Sequence, residues 1–354
     1  MNMLKRIKAT DKHDMLQLLL NFPEQFKTAV EIGKSITHQL DPDKIHHLIF
    51  AGMGGSAIGG DLIVSCLAPQ LNIPAMVNRN YRLPNFVNQK SLVVICSFSG
   101  NTEESLSCYE DAKSKNAHVL CVSSGGELKS RAERDGFPII VVPGGMPPRC
   151  ALAYLCIPAL IFLTKTGFAE LHPNDVSETQ QLLEQKANAY APDQSENQAI
   201  QIAQNLSNRL PIIYSCTDLL HVAAMRWKGQ FSENAKVHAF FNVFPELNHN
   251  EIVGWEKLPD FLTRTQILYL KDREDHPRSK KRMAITGKIL EKVTNPVIEL
   301  ETEGESRLAR LFSMIYLGDM VSFYLAMLYN VDPTPVEKIQ LLKDQLKKLP
   351  DELS

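Results

Sequence analysis

The chain has 354 residues, 44% of them hydrophobic and 22% charged, with a formal net charge of −2 and a pI near 6.6. That is globular composition at a length that suits two ordinary domains. It excludes the general basic field with which a protein holds nucleic acid or an anionic membrane surface.

The first forty residues read as helical. Met15, Leu18, Leu19 and Phe22 fall at helical spacing, Phe26 and Val30 follow, and Pro23 is expected to divide the stretch in two. Short apolar runs then alternate with helical segments. His47–Ala51, Leu92–Cys96, Val119–Val122 and Ile139–Val142 are continuous rather than alternating, as strands covered on both faces are. Helices follow at about 150–165 and 177–189, and the polar stretch 190–197, with Pro192, reads as the end of a linker. The pattern then repeats. Strands are expected at 212–215, 237–243, 266–270 and 297–300, and helices at 307–329 and 336–349. Strands alternating with helices define an α/β chain with two doubly wound parallel sheets. The boundaries expected are a helical extension over 1–40, a first domain over 41–190, a second over 191–331 and a C-terminal helix over 332–354.

No apolar run reaches membrane-spanning length; the longest, 151–163, contains Pro158. The N-terminus has no signal-like apolar stretch. The seven cysteines form no Cys-x-x-Cys pair, and Cys96, Cys121 and Cys216 sit in strand-like runs. They read as small reduced core residues, so a cytoplasmic location is expected.

Two loops carry the signs of an anion site. Gly52-Met-Gly54-Gly55-Ser56 leaves the first strand and opens a helix, where unpaired N–H groups and the helix dipole favour a phosphate. The spacing also fits a dinucleotide fingerprint, but Val77-Asn-Arg-Asn80 offers no acid for the ribose. Ser97-Phe-Ser99-Gly-Asn-Thr102 lies between the next strand and helix. Thr102 or Asn101 could be a plain N-cap. Three hydroxyls beside a second glycine-rich loop favour a ligand at the C-terminal sheet edge instead.

Three side chains are candidates for chemistry. Arg149 ends the stiff Met146-Pro-Pro-Arg segment after a strand, and would stabilise negative charge on oxygen. Glu233 lies near a helix–strand join, where a lone glutamate is more often a solvated face. His249 is flanked by Asn248 and Asn250, amides able to fix its tautomer and orientation for proton transfer. Zinc-ligand spacing, a P-loop and a Gly-x-Ser-x-Gly elbow are missing from the sequence. The run Lys271–Arg282 mixes charges and reads as a solvated connection.

Taken together, Gly52–Asp61, Ser97–Thr102, Pro147-Pro-Arg149 and Glu246-Leu-Asn-His-Asn-Glu251 resemble the bifunctional phosphoglucose/phosphomannose isomerases. The resemblance implies two flavodoxin-like SIS (sugar isomerase) domains of three αβα layers and an aldose–ketose isomerase acting through a cis-enediol. It implies that Gly54, Gly55, Ser56, Ser97, Ser99 and Thr102 hold a hexose 6-phosphate, that Glu233 is the base and that Arg149 steadies the enediolate. It further implies that His249 aids ring opening from the neighbouring subunit of a homodimer, and that a C-terminal lysine, Lys343 or alternatively Lys338, assists at the ring oxygen. No metal or other cofactor is implied. A non-catalytic SIS sugar-phosphate sensor and an amino-sugar enzyme of the same superfamily are the alternatives.

Overall fold

The structure is a computed structural model that describes residues 2–348. Helices α1 (Met3–Thr10), α2 (Met15–Leu20) and α3 (Phe22–Ser35) precede the first sheet. Strands β1 (His47–Ala51), β2 (Ala75–Asn78), β3 (Ser91–Cys96), β4 (His118–Ser123) and β5 (Ile139–Val141) alternate with α4 (Gly54–Leu67), α5 (Glu103–Ser114) and α6 (Gly126–Asp135). They form a parallel sheet of order β2-β1-β3-β4-β5. Helices α7 (Leu152–Lys165), α8 (Pro173–Ala189) and α9 (Gln198–Leu206) lead to the second half. There β6 (Leu210–Cys216), α10 (His221–Gln230), β7 (Phe240–Phe244), α11 (Pro259–Leu262), β8 (Thr265–Lys271), α12 (Pro277–Leu290) and β9 (Ile298–Glu301) give a parallel sheet of order β7-β6-β8-β9. That order repeats the first four strands of the first sheet, so the two halves share one topology. Helices α13 (Arg307–Leu328) and α14 (Glu337–Leu346) come last. The final part of the expected C-terminal helix, 349–354, lies outside the described residues.

The period of two in each strand explains the layering. Leu48, Phe50, Leu92, Val94, Leu120 and Val122 point into one large core, and Ile213, Leu268 and Leu270 of the second sheet enter that same core. Their neighbours Ile49, Val93, Ile95, Val119 and Cys121 face outward under α5 and α6. Ile212, Tyr214, Ile267 and Tyr269 likewise face outward with Met283 of α12. The two sheets therefore share a middle layer of helices, and the central strands β1, β3 and β4 are apolar over most of their length because both faces are covered.

Helix α13 runs through that layer. It is the one helix among the described residues long and apolar enough to cross a bilayer, and 94% of its apolar window is buried inside the protein. The longest apolar segment is therefore this core helix and not residues 151–163. Gly318 lets Trp227 lie against α13, where a Cβ would stand 2.1 Å from the indole Nε1, and that nitrogen donates to Met314 O at 2.8 Å.

The N-terminal helices belong to the same layer. Phe22 stacks on Phe312 and Tyr316, and Phe26 meets Phe312 edge-on at 5.5 Å. The break expected at Pro23 falls at Asn21; Pro23 itself sits in the first turn of α3, where its missing N–H is harmless. The linker stretch is also anchored: Tyr190 and Asn197 are buried, and both bond the Tyr324 hydroxyl of α13.

The run Lys271–Arg282 is not a solvated connection throughout. Asp272 and Asp275 are buried at 3% and 2% exposure. Asp272 accepts from Arg310 Nε at 2.9 Å and from Thr302 at 2.8 Å, because a buried arginine on α13 requires a counter-ion.

Candidate active site

Sequence places Arg149 on a stiff turn, and the structure shows what holds it. Pro148–Cys150 forms a single 3-10 turn whose arginine side chain is 5% exposed. Gly55, at the start of α4, packs against this turn; a Cβ there would lie 3.0 Å from Pro148 O. Gln25 of α3 donates to Cys150 O at 2.7 Å and accepts from Ala153 N at 3.0 Å. Arg226 of α10 donates to Arg149 O at 2.8 Å.

The guanidinium reaches four partners. Nε donates to Asn234 Oδ1 at 2.7 Å, and Nη2 donates to Pro333 O and Thr334 O at 2.8 and 2.9 Å. Nη1 points to Glu233 Oε2 at 3.5 Å. Glu233 and Asn234 lie on one π-turn, Phe231–Ala235, between α10 and the approach to β7. The wider π-turn leaves the glutamate side chain 34% exposed while Asn234 is sealed. Lys236 follows in the left-handed region at φ 59°, and its ammonium donates to Glu233 O, Pro333 O and Pro335 O. Partial burial, and then the nearby Arg149, hold its pKa below the usual lysine value.

Glu233 lies between two clefts. One, of about 260 Å³, is lined by Gly54, Gly55, Arg79, Arg149, Lys228 and Glu233. The other, of about 670 Å³, is lined by Glu233, Lys236, His238, Asp332, Glu337 and Lys338.

The hydroxyl loop adjoins the glycine loop. Ser56 is buried, and its Oγ accepts from Phe98 N at 3.3 Å. Ser97 Oγ donates to Thr102 Oγ1 at 3.0 Å, and Ser99 Oγ accepts from Asn101 N at 3.3 Å. Thr102 does occupy the N-cap position of α5, yet its hydroxyl meets Ser97 and not a helix N–H. Two helix starts thus lie side by side, joined by Ser56, and the glycine loop runs on to Arg149 and Glu233. A third loop, Ser123-Ser-Gly-Gly126, supports them: Ser124 Oγ donates to Phe98 O at 2.6 Å and Glu127 N to Asn101 Oδ1 at 3.0 Å. Serines and glycines directly after a strand, as in the two loops already singled out, were the available signal for it. Asn234, Arg226 and Asp319 also escaped the sequence reading. A lone aspartate in the apolar run of α13 was the signal for that group.

The other candidates stand apart in this single chain. His249 ends the 3-10 turn Glu246–His249 and is exposed. The expected role of its amide neighbours is not what the structure shows. Asn248 donates to Thr286 Oγ1 at 2.9 Å, and Asn250 donates to Glu246 Oε1 at 2.7 Å and accepts from Glu251 N. Each amide is drawn to the nearest fixed polar group, leaving the imidazole unheld by either. Lys343 is exposed on α14, whereas Lys338 reaches the larger cleft beside Glu233. Among the described residues no group of three or more His, Cys, Asp or Glu is arranged to hold a metal.

Two parallel α/β domains with paired helix starts and a carboxylate–arginine couple define a SIS-type sugar-isomerase architecture. The same fold is found in the C-terminal domain of glucosamine-fructose-6-phosphate aminotransferase from Francisella tularensis, with TM-score 0.70 at 16% identity, covering 92% of this chain and 98% of that one. Residues 195–346 match the family described as bacterial phospho-glucose isomerase C-terminal SIS domain. A bifunctional phosphoglucose/phosphomannose isomerase of Caldicellulosiruptor bescii is 46% identical over 95% of this chain and 100% of its own length. One from Aquifex aeolicus is 38% identical over 89% and 94%. The chain belongs to the bifunctional phosphoglucose/phosphomannose isomerase family.

Proposed function

We infer that this protein interconverts glucose 6-phosphate and mannose 6-phosphate with fructose 6-phosphate. The observation that carries this reading is the approach of Arg149 Nη1 to Glu233 Oε2, in a cleft that also opens on Gly54 and Gly55. The phosphate takes the two helix starts, with Ser56, Ser97, Ser99 and Thr102 supplying hydroxyls. Remote binding of this kind fixes the reacting carbons. In the opened aldose, the Glu233 carboxylate removes the C2 proton. The C2–H electron pair forms the C1–C2 double bond, and negative charge develops on O1 beside Arg149. C2 is planar at that point, so its configuration is erased and both aldoses converge. The O2 proton passes to O1, the O2 electron pair forms the C2 carbonyl, the C1–C2 π pair takes the proton back from Glu233 at C1, and the ketose results. All electrons stay within the substrate.

Two copies of the chain are proposed to complete the site. Phe240 and Phe241 on edge strand β7, and Leu341 and Leu342 on α14, are exposed apolar side chains that a second copy would cover. Such pairing would carry His249 of the partner subunit toward Glu233, and place Lys343 or Lys338 near the ring oxygen. Seven buried, unpaired cysteines support a reducing, cytoplasmic setting, where the reaction serves glycolysis and gluconeogenesis.

Purified protein should turn over both aldose phosphates in a coupled assay. Glu233→Gln should keep sugar-phosphate binding and lose about 10²- to 10⁴-fold in kcat. Failure to turn over either sugar removes the isomerase reading, and unchanged turnover in Glu233→Gln removes the base. Mixing inactive Glu233→Gln with inactive His249→Ala should restore part of the activity if the sites are shared; no recovery removes the shared site.

A further inference from the structure

The arginine proposed above to steady the enediolate has five N–H donors. Nε is taken by Asn234, both donors of Nη2 by the carbonyls of Pro333 and Thr334, and one of Nη1 by Glu233. One Nη1 donor is left for the developing oxygen, so the rotation of the guanidinium about its own axis decides whether that donor meets O1. The two carbonyls sit on the segment that follows α13 and hold Nη2. Nε is held by Asn234 alone.

Asn234 is built for that task. It is fully buried, and its Nδ2 donates to Ser322 Oγ at 2.9 Å, which sets which end of the amide faces Arg149. Ser322 donates in turn to Asp319 O at 2.7 Å, so the amide is anchored on the central helix. Asn234 also adjoins Glu233 on the same π-turn. The base and the holder of the arginine therefore move as one piece.

We propose that Asn234 is a positioning residue for isomerisation: its amide oxygen orients Arg149 so that one guanidinium edge serves Glu233 and the oxygen of the enediolate together. The inference rests on the roles given to Glu233 and Arg149. Asn234 touches neither substrate nor reacting atoms and acts through Arg149.

The test compares Asn234→Ala, Asn234→Asp and Arg149→Gln in the full-length protein, with two phosphorylated ligands as probes. One is a sugar-phosphate hydroxamate, planar and anionic like the enediolate; the other is sorbitol 6-phosphate, which carries the phosphate but has no such group. Asn234→Ala should lose about 10- to 100-fold in kcat with KM little changed, and lose hydroxamate affinity in parallel while holding sorbitol 6-phosphate as before. Asn234→Asp keeps the acceptor and the volume, and should recover most of the kcat. Its new carboxylate lies beside Glu233, whose charged and titratable surroundings are Arg79, Arg149, Arg226, Lys228, Lys236, His238, Asp332, Glu337 and Lys338. It should move the acid limb of the kcat/KM profile to higher pH, because a second negative charge favours the protonated base. A purely structural asparagine would weaken both probes equally, or neither, and show no limb movement; either result overturns the proposal. Unchanged kcat in Arg149→Gln would instead overturn the assigned role of the arginine itself.

Discussion

Arg226 and Asp319 meet across α10 and α13, 93 residues apart, in a two-pronged pair with Nε–Oδ1 at 2.9 Å and Nη2–Oδ2 at 2.7 Å. Both side chains are under 5% exposed, and Gln230 donates to the same carboxylate at 2.8 Å. Burial raises the Asp319 pKa, and the arginine and glutamine oppose that shift. Since Arg226 also holds the main chain of Arg149, the pair is the deep anchor of the arginine turn. Removing one partner strands the other charge. Asp319→Leu should therefore destabilise by about 3–5 kcal/mol, and Arg226→Met with Asp319→Leu by much less than the sum of the singles. Urea unfolding of the two singles and the double checks both.

Gly100 sits where the hydroxyl loop touches the third loop. Its φ is +71°, and a Cβ would stand 1.9 Å from Gly125 O. Gly100→Ala must adopt a left-handed conformation and push the two loops apart. Ser99 and Thr102 would shift with it. An increase of about tenfold or more in KM is expected, with a smaller change in kcat, since the phosphate handle binds ground and transition states alike. Steady-state kinetics with fructose 6-phosphate reads it out.

Asp275 gives a pH signature far from the active site. Burial pushes its carboxyl from 3.8 up to about 6, with the N–H of Asp272 opposing the rise. The folded protein then binds this proton more tightly than the unfolded chain. This contribution to stability is fully present below about pH 4 and is lost as pH rises to about 6. It amounts to roughly 2–3 kcal/mol. Asn at this position can still accept from Asp272 N, and its amide gives a donor where Asp275 Oδ1 has no partner among the described residues. Asp275→Asn should be more stable than the parent at pH 7, with the difference vanishing near pH 4. Thermal unfolding across that range measures it.

Much of the fold was legible because strands covered on both faces have no polar alternation to blur them. The runs at His47–Ala51, Leu92–Cys96 and Val119–Val122 became β1, β3 and β4 almost residue for residue. The N-terminal helices were harder to place. Periodicity showed that Phe22 and Phe26 share a face, but not that this face stacks on Phe312 and Tyr316, nearly three hundred residues away. The two loops were visible through glycine and hydroxyl clustering, which is a local property. What holds Arg149 was not, because Gln25, the Arg226–Asn234 stretch and Pro333 converge from three separated segments. Asp272 was misread for the same reason. In a mixed-charge run, burial depends on a partner elsewhere, here Arg310 of α13.

The most direct test of the chemistry uses fructose 6-phosphate and the purified protein in D₂O, followed by NMR. If a carboxylate shuttles the proton through an enediol, glucose 6-phosphate and mannose 6-phosphate should both appear, each with solvent deuterium at C2, and Glu233→Gln should form neither at a comparable rate. Aldose phosphates still free of deuterium at C2 after many rounds of interconversion, or undiminished conversion by Glu233→Gln, would contradict proton transfer by Glu233.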